Sequence, residues 1–259
     1  MFKLTKRKKF VITSGLLSFG FLLMILGEIL PKEIMIGIMM VVSYFLSAWA
    51  LSEGLNGIKW FTVLILPVLF TGGIGLFYFF LSSSFLTRLL VVFFYGIGVY
   101  ILLLVGNIFS VAAIRTIQLL RSAQVVGFLF TLVIAFLFYS SLFSFKFPYW
   151  INFFVSFLIA FLLVIPGLWS VNLEEKISLR VLIYSLIISL IQGEIALAFS
   201  FWPTISSVTA LALISSLYLN LGLGQHYLNE RLFKKVIKEY LAETIFVFLI
   251  IFLTTFWSG

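Results

Sequence analysis

Hydrophobic residues run along this chain in nine stretches of roughly twenty, parted by short connections that hold most of the charge. They lie near 10–30, 34–51, 60–81, 88–106, 125–145, 149–169, 181–201, 204–223 and 241–257. A helix rises about 1.5 Å per residue, so about 20 apolar residues cross the ~30 Å hydrocarbon layer of a bilayer. The second and last stretches are shorter. Lipid satisfies no backbone hydrogen bonds, and the period-2 alternation of a membrane barrel is absent, so each stretch is expected to span as a helix. The predicted fold is all-α: a polytopic transmembrane bundle of about nine spans, forming a single integral membrane domain over residues 1–259.

Positive charge orients the bundle. With the N-terminus inside, the inner segments hold 14 Lys and Arg residues, and the outer ones only Lys32, Arg88 and Lys146. Cytoplasmic loops carry such an excess, which predicts a cytoplasmic N-terminus and an outside C-terminus in a bacterial inner membrane. Met1–Lys9 is basic and Phe10–Leu30 apolar, but Gly27-Glu28-Ile29-Leu30-Pro31 has no small-residue cleavage site. The first stretch is therefore expected to be a retained anchor. Trp49, Trp60, Tyr149, Trp150, Trp169, Trp202 and Trp257 fall near predicted ends, as interfacial aromatics do. Pro67 and Pro166 lie inside spans and are expected to kink them.

Composition narrows the chemistry. Charged residues make up 10% of the chain and hydrophobic ones 63%, unlike a soluble domain, in which about a quarter of residues are charged. The net charge of +8 follows the loops rather than one face, so no nucleic-acid partner is expected. There is no cysteine and no aspartate, one histidine, and nine glutamates that are mostly scattered. No metal site or other cofactor is expected from such a set.

Two longer connections, 107–124 and 225–242, read as cytoplasmic amphipathic segments that meet anionic headgroups of the bilayer or a membrane-protein partner. The headgroup candidates are Arg115, Arg121, His226, Arg231, Lys234, Lys235 and Lys238. Gly222 and Gly224 are expected to end the eighth span before His226.

Glu194 is the one ionisable residue deep within a span, about 20 Å from the inner end and 11 Å from the outer. It is expected to be buried against a polar stripe of the next span, Thr209, Ser216 and Asn220, where it would handle a substrate or a proton, or donate an interhelical hydrogen bond. Gln192 lies about 200° around the helix from it. Ser189, Gly193, Ala196 and Ser200 form a small-residue face suited to close packing. Pro67 with Gly72, Gly73 and Gly75 fits either a broken helix or a glycine packing face.

Two enzyme patterns fail. Glu174-Glu175 with Arg180 resembles the paired-glutamate motif of CAAX-protease-like membrane enzymes, but four residues rather than three precede the arginine, and only one of two required histidines exists. No Gly-x-Ser-Gly is present to pair with His226. The stretches Ile114–Arg121, Ser200-Phe201-Trp202-Pro203 and Gly222-Leu223-Gly224-Gln225-His226 resemble ones in uncharacterised bacterial multi-pass membrane proteins, over about the C-terminal 60% of the chain. That resemblance implies an inner-membrane protein and no activity. The poverty of polar chemistry favours a structural or lipid-associated component of a membrane complex; a transporter subunit with Glu194 lining a polar path, and less so a lipid-modifying enzyme using Arg115, Arg121 and His226, stay open.

Overall fold

The computed structural model describes residues 5–27, 31–81, 84–112 and 118–255. Among them there is no strand, and the fold is an all-α bundle. The helices are α1 (Lys6–Leu26), α2 (Lys32–Leu51), α3 (Lys59–Thr62), α4 (Ile65–Tyr78), α5 (Phe85–Ala112), α6 (Leu120–Ser144), α7 (Tyr149–Asn172), α8 (Leu179–Phe199), α9 (Ser206–Leu228) and α10 (Lys234–Thr254). Among the described residues eight helical segments are long and apolar enough to cross a membrane: α1, α2, α3 with α4, and α5 to α9. The ninth expected stretch forms the later part of α10, whose first ten residues carry Lys234, Lys235, Lys238, Glu239 and Glu243.

The chain divides into two compact units, residues 1–130 and 131–259, and the boundary falls within α6. In the first unit α1 packs on α5 and α2, and α2 on α4. The helices approach closely where glycine leaves room: Gly20 lies under Met39, Gly75 against Ile36, and Gly106 against Val63. Pro67 acts near the start of α4, where the chain breaks between Thr62 and Ile65, so the expected mid-span kink is a break one turn earlier. Gly72 and Gly75 face Met40 and Ile36 of α2, which is the packing role. The Pro67 carbonyl accepts from Thr71 Oγ1 (2.8 Å) and Ser43 Oγ (3.3 Å), and Thr71 also meets the Tyr95 hydroxyl at 2.9 Å. A buried polar cluster is thereby satisfied within the unit.

One end of this unit is tied by cations. Lys59 is buried and its Nζ donates to the Ser110 carbonyl (3.0 Å) in the last described turn of α5. Lys9 and Lys6 reach Glu53 at 3.1 and 3.4 Å. The hydrogen bond and charge of Lys9, joined by Lys6, hold the Glu53 carboxyl below its ordinary range. A depressed carboxyl stabilises above its unfolded pKa, so this exposed tie is present at neutral pH and is lost as pH falls through the lowered value.

In the second unit α7 and α8 form the tightest pair. Ser185, Ser189, Gly193 and Ala196 of α8 are buried, a small-residue stripe at helical spacing. A Cβ at Gly193 would stand 3.0 Å from the Phe153 ring and 3.2 Å from its carbonyl oxygen. Next, α9 packs on both of these helices, and α10 chiefly on α9. At the far end of α8, Phe199, Ala212 and Ile251 form a core under Trp202, whose indole donates to Thr255 Oγ1 (3.0 Å). Overpacking costs about 1–3 kcal/mol. Gly193→Leu should lower thermal stability in detergent by that order, whereas Gly15→Leu, with no atom within 4 Å of its Cβ position, should leave it unchanged.

Candidate functional site

The least apolar of the eight candidate spans is α9, and it presents a polar group to each helix it packs on. Toward α8 it presents Ser216 and Asn220. Gln225 points to α7, where its amide donates to the Gly167 carbonyl (2.9 Å). Tyr218 and His226 meet Tyr240 of α10, with ring centroids 4.7 and 5.8 Å apart. Tyr218 also hydrogen-bonds Glu243, and the Tyr240 ring lies against Gly222, where no side chain would fit.

The centre of this network is Gln192. It is fully buried on the small-residue stripe of α8. With its amide set to satisfy both neighbours, it donates to the Leu213 carbonyl (3.1 Å) and accepts from Ser216 Oγ and the Leu217 N–H, both at 3.0 Å. Leu213 C=O and Leu217 N–H are a single rung of α9's own ladder, so the amide straddles that rung. Asn220 Nδ2 completes the chain with bonds to Ser216 O (2.8 Å) and Oγ (3.2 Å). Thr209, buried one face-repeat further along, meets Thr204 at 2.7 Å. Ser216, Asn220 and Gln192 therefore converge, while Thr209 closes the opposite end of α9 separately.

Glu194 does not join them. The expectation that it is buried against Thr209, Ser216 and Asn220 is overturned: Glu194 is exposed, on the face of α8 opposite Gln192. Two residues are 200° of helix, so burying one amide turns the carboxylate outward. It sits in an exposed stripe of Ile183, Leu186, Ile187, Leu190 and Leu197. Counted along α8, it lies 15 residues (about 22 Å) from Leu179 and 5 residues (about 8 Å) from Phe199. Among the described residues it makes no hydrogen bond or ion pair.

The basic candidates are dispersed. Arg115 lies outside the described residues. Arg121 is exposed in the first turn of α6, and Lys234, Lys235 and Lys238 are exposed in the first turns of α10. Arg231 is exposed in the connection before them, and His226 is half-buried. Among the described residues neither long connection forms a separate surface helix. Residues 107–112 continue α5 and 120–124 begin α6; in 225–242, α9 runs on to Leu228 and α10 starts at Lys234. Gly222 and Gly224 thus lie within α9 rather than ending it. Among the described residues no group of His and Glu side chains is placed to hold a metal ion.

Sequence reasoning noted Gln192 only to set it aside. Its signal was position: residues 189, 192, 193 and 196 share one face, and a polar residue on a small-residue face meets its neighbour's backbone. Gln192→Leu would remove the bonds to Ser216 Oγ and to the Leu213–Leu217 rung, and interhelical bonds of this kind contribute about 0.6–2 kcal/mol. Thermal melting should show a loss of that order, and the losses of Gln192→Leu and Ser216→Ala should be less than additive in the double variant.

Residues 36–254 match a family described as Protein of unknown function (DUF5656), so the similarity begins in α2 and extends well beyond the C-terminal part that resembles uncharacterised membrane proteins. No curated protein and no solved structure matches the chain. Eight apolar helices and a match over most of its length make this chain a membrane protein belonging to the DUF5656 family.

Proposed function

We propose that this protein is a structural subunit of a membrane complex in the bacterial inner membrane, with its N-terminus cytoplasmic and its partner docked on the outward face of α8. The observation that carries this reading is Glu194, an acid within a spanning helix that is exposed on the face of α8 opposite Gln192. An ionised residue deep in hydrocarbon costs roughly 3 kcal/mol, and such residues face protein or water rather than lipid. Leu186, Leu190 and Leu197 flank Glu194 at helical spacing and supply the apolar contact. Hydrogen bonding sets the occupant: a transmembrane helix of another protein carrying a Lys, Arg, Asn, Gln or Ser side chain at the depth of Glu194.

The structural reading is supported over transport by the placement of Glu194 and the Gln192–Ser216–Asn220 network on opposite sides of α8, with that network bonded to the α9 backbone. Exposed Arg121, Arg231, Lys234, Lys235 and Lys238 support contact with anionic headgroups on the cytoplasmic side.

The test is a photo-reactive residue placed at Leu190 in cells, with the crosslinked peptide mapped. A crosslink to a transmembrane segment of another protein bearing one of those side chains within a turn of the attachment point, and reduced at least fivefold by Glu194→Leu but not by Glu194→Gln, is expected. Crosslinks to lipid alone, to a second copy of this chain, or unaffected by Glu194→Leu would overturn the reading.

A further inference from the structure

A second site lies at the other end of α8, where Arg180 stands 14 residues (about 21 Å) along the helix from Glu194. At the end of the second unit where α7 closes, α8 opens and α9 passes toward α10, a cleft of ≈ 610 Å³ is lined by Asn172, Glu174, Ser178, Arg180, Tyr227 and Glu230. Its walls are fixed. On one side Leu173 takes a left-handed conformation (φ 52°), its N–H bonds the Trp169 carbonyl (3.0 Å), and the Trp169 indole donates to the Glu174 carbonyl (2.8 Å). Ser178 then caps α8. On the other side α9 ends in a Schellman turn: Glu230 N–H bonds the Tyr227 carbonyl (3.0 Å) and Arg231 N–H the His226 carbonyl (2.9 Å).

That turn puts Glu230 at φ 57°, a position that ordinarily takes glycine or asparagine. Leu173 and Glu230 are two of only three non-glycine residues with positive φ among the described residues. Strained backbone of this kind gathers at functional sites. A glutamate held where glycine would be easier therefore points to use of its carboxylate.

The charges are set for a ligand bearing both signs. Arg180 and the carboxylates of Glu174 and Glu230 line the same cleft, yet Arg180 forms an ion pair with neither. We infer that this cleft binds a zwitterionic phosphate–ammonium group, presented by the headgroup of a phosphatidylethanolamine lipid. The guanidinium takes the phosphate oxygens, for which its planar fork is suited, and the two carboxylates accept from the primary ammonium. Tyr227, Ser178 and Asn172 supply neutral donors around them. Exposed Leu179 and Leu232 border the cleft and give the acyl chains an apolar approach.

The test uses the full chain reconstituted in nanodiscs of equimolar phosphatidylethanolamine, phosphatidylcholine and phosphatidylglycerol with matched acyl chains, followed by native mass spectrometry of the lipids retained on release. Phosphatidylethanolamine should be retained at least fivefold over the other two. Arg180→Gln and Glu230→Asn should each bring it to parity; asparagine suits the left-handed backbone, so this second variant keeps the fold, checked by an unchanged elution volume. Equal retention of the choline lipid, whose ammonium has no N–H, or preference surviving both variants, would overturn the proposal. Binding of soluble O-phosphoethanolamine without lipid retention would overturn the lipid assignment.

Discussion

The structure depends on one constraint: inside hydrocarbon no water stands ready to pair a polar group, so the backbone must be satisfied within the protein. Helices satisfy their own backbones, and the chain then decides where helices may approach closely enough to share what remains. Glycine and serine set those places. The stripe of Ser185, Ser189, Gly193 and Ala196 lets α7 lie against α8, and on the same face Gln192 reaches through to the backbone of α9. One side chain thereby ties α8 to α9, and α7 packs on both. In the first unit Thr71 performs the same service, joining Ser43 of α2, Tyr95 of α5 and the carbonyl that Pro67 presents in α4.

Much of this was legible in the amino-acid order. The spanning segments follow from hydrophobic length alone, and the small-residue face of α8 from its spacing. Helix ends were not, for a physical reason. An apolar reading stops where hydrophobicity stops, whereas a helix stops where its backbone loses partners. Lys234–Glu243 is polar yet helical, so α10 begins seven residues before its apolar stretch. Similarly, α9 ends at a glutamate in a conformation that signals itself only when glycine or asparagine fills it.

Glu194 was misplaced by a different route. A carboxylate in a span is costly, and cost argues for burial within the chain. Helical geometry offered a choice between burying Gln192 and burying Glu194, since both cannot face α9. The amide has donor and acceptor together and can straddle a ladder rung. The amide took the inner position, and the acid was left to whatever lies outside.

The late start of apolar character in α10 bears on what holds that helix in place. From Thr244 to Thr254 the helix rises only about 15 Å, half of a hydrocarbon core. Its hold on the rest of the chain is lateral: Tyr240 lies over Gly222 and Thr244 donates to the Ser215 carbonyl on α9, while Ile251 and Thr255 meet Phe199 and Trp202 at the other end. A helix so charged at its start gains little from hydrocarbon alone, so these side contacts rather than apolar length set its place in the bundle.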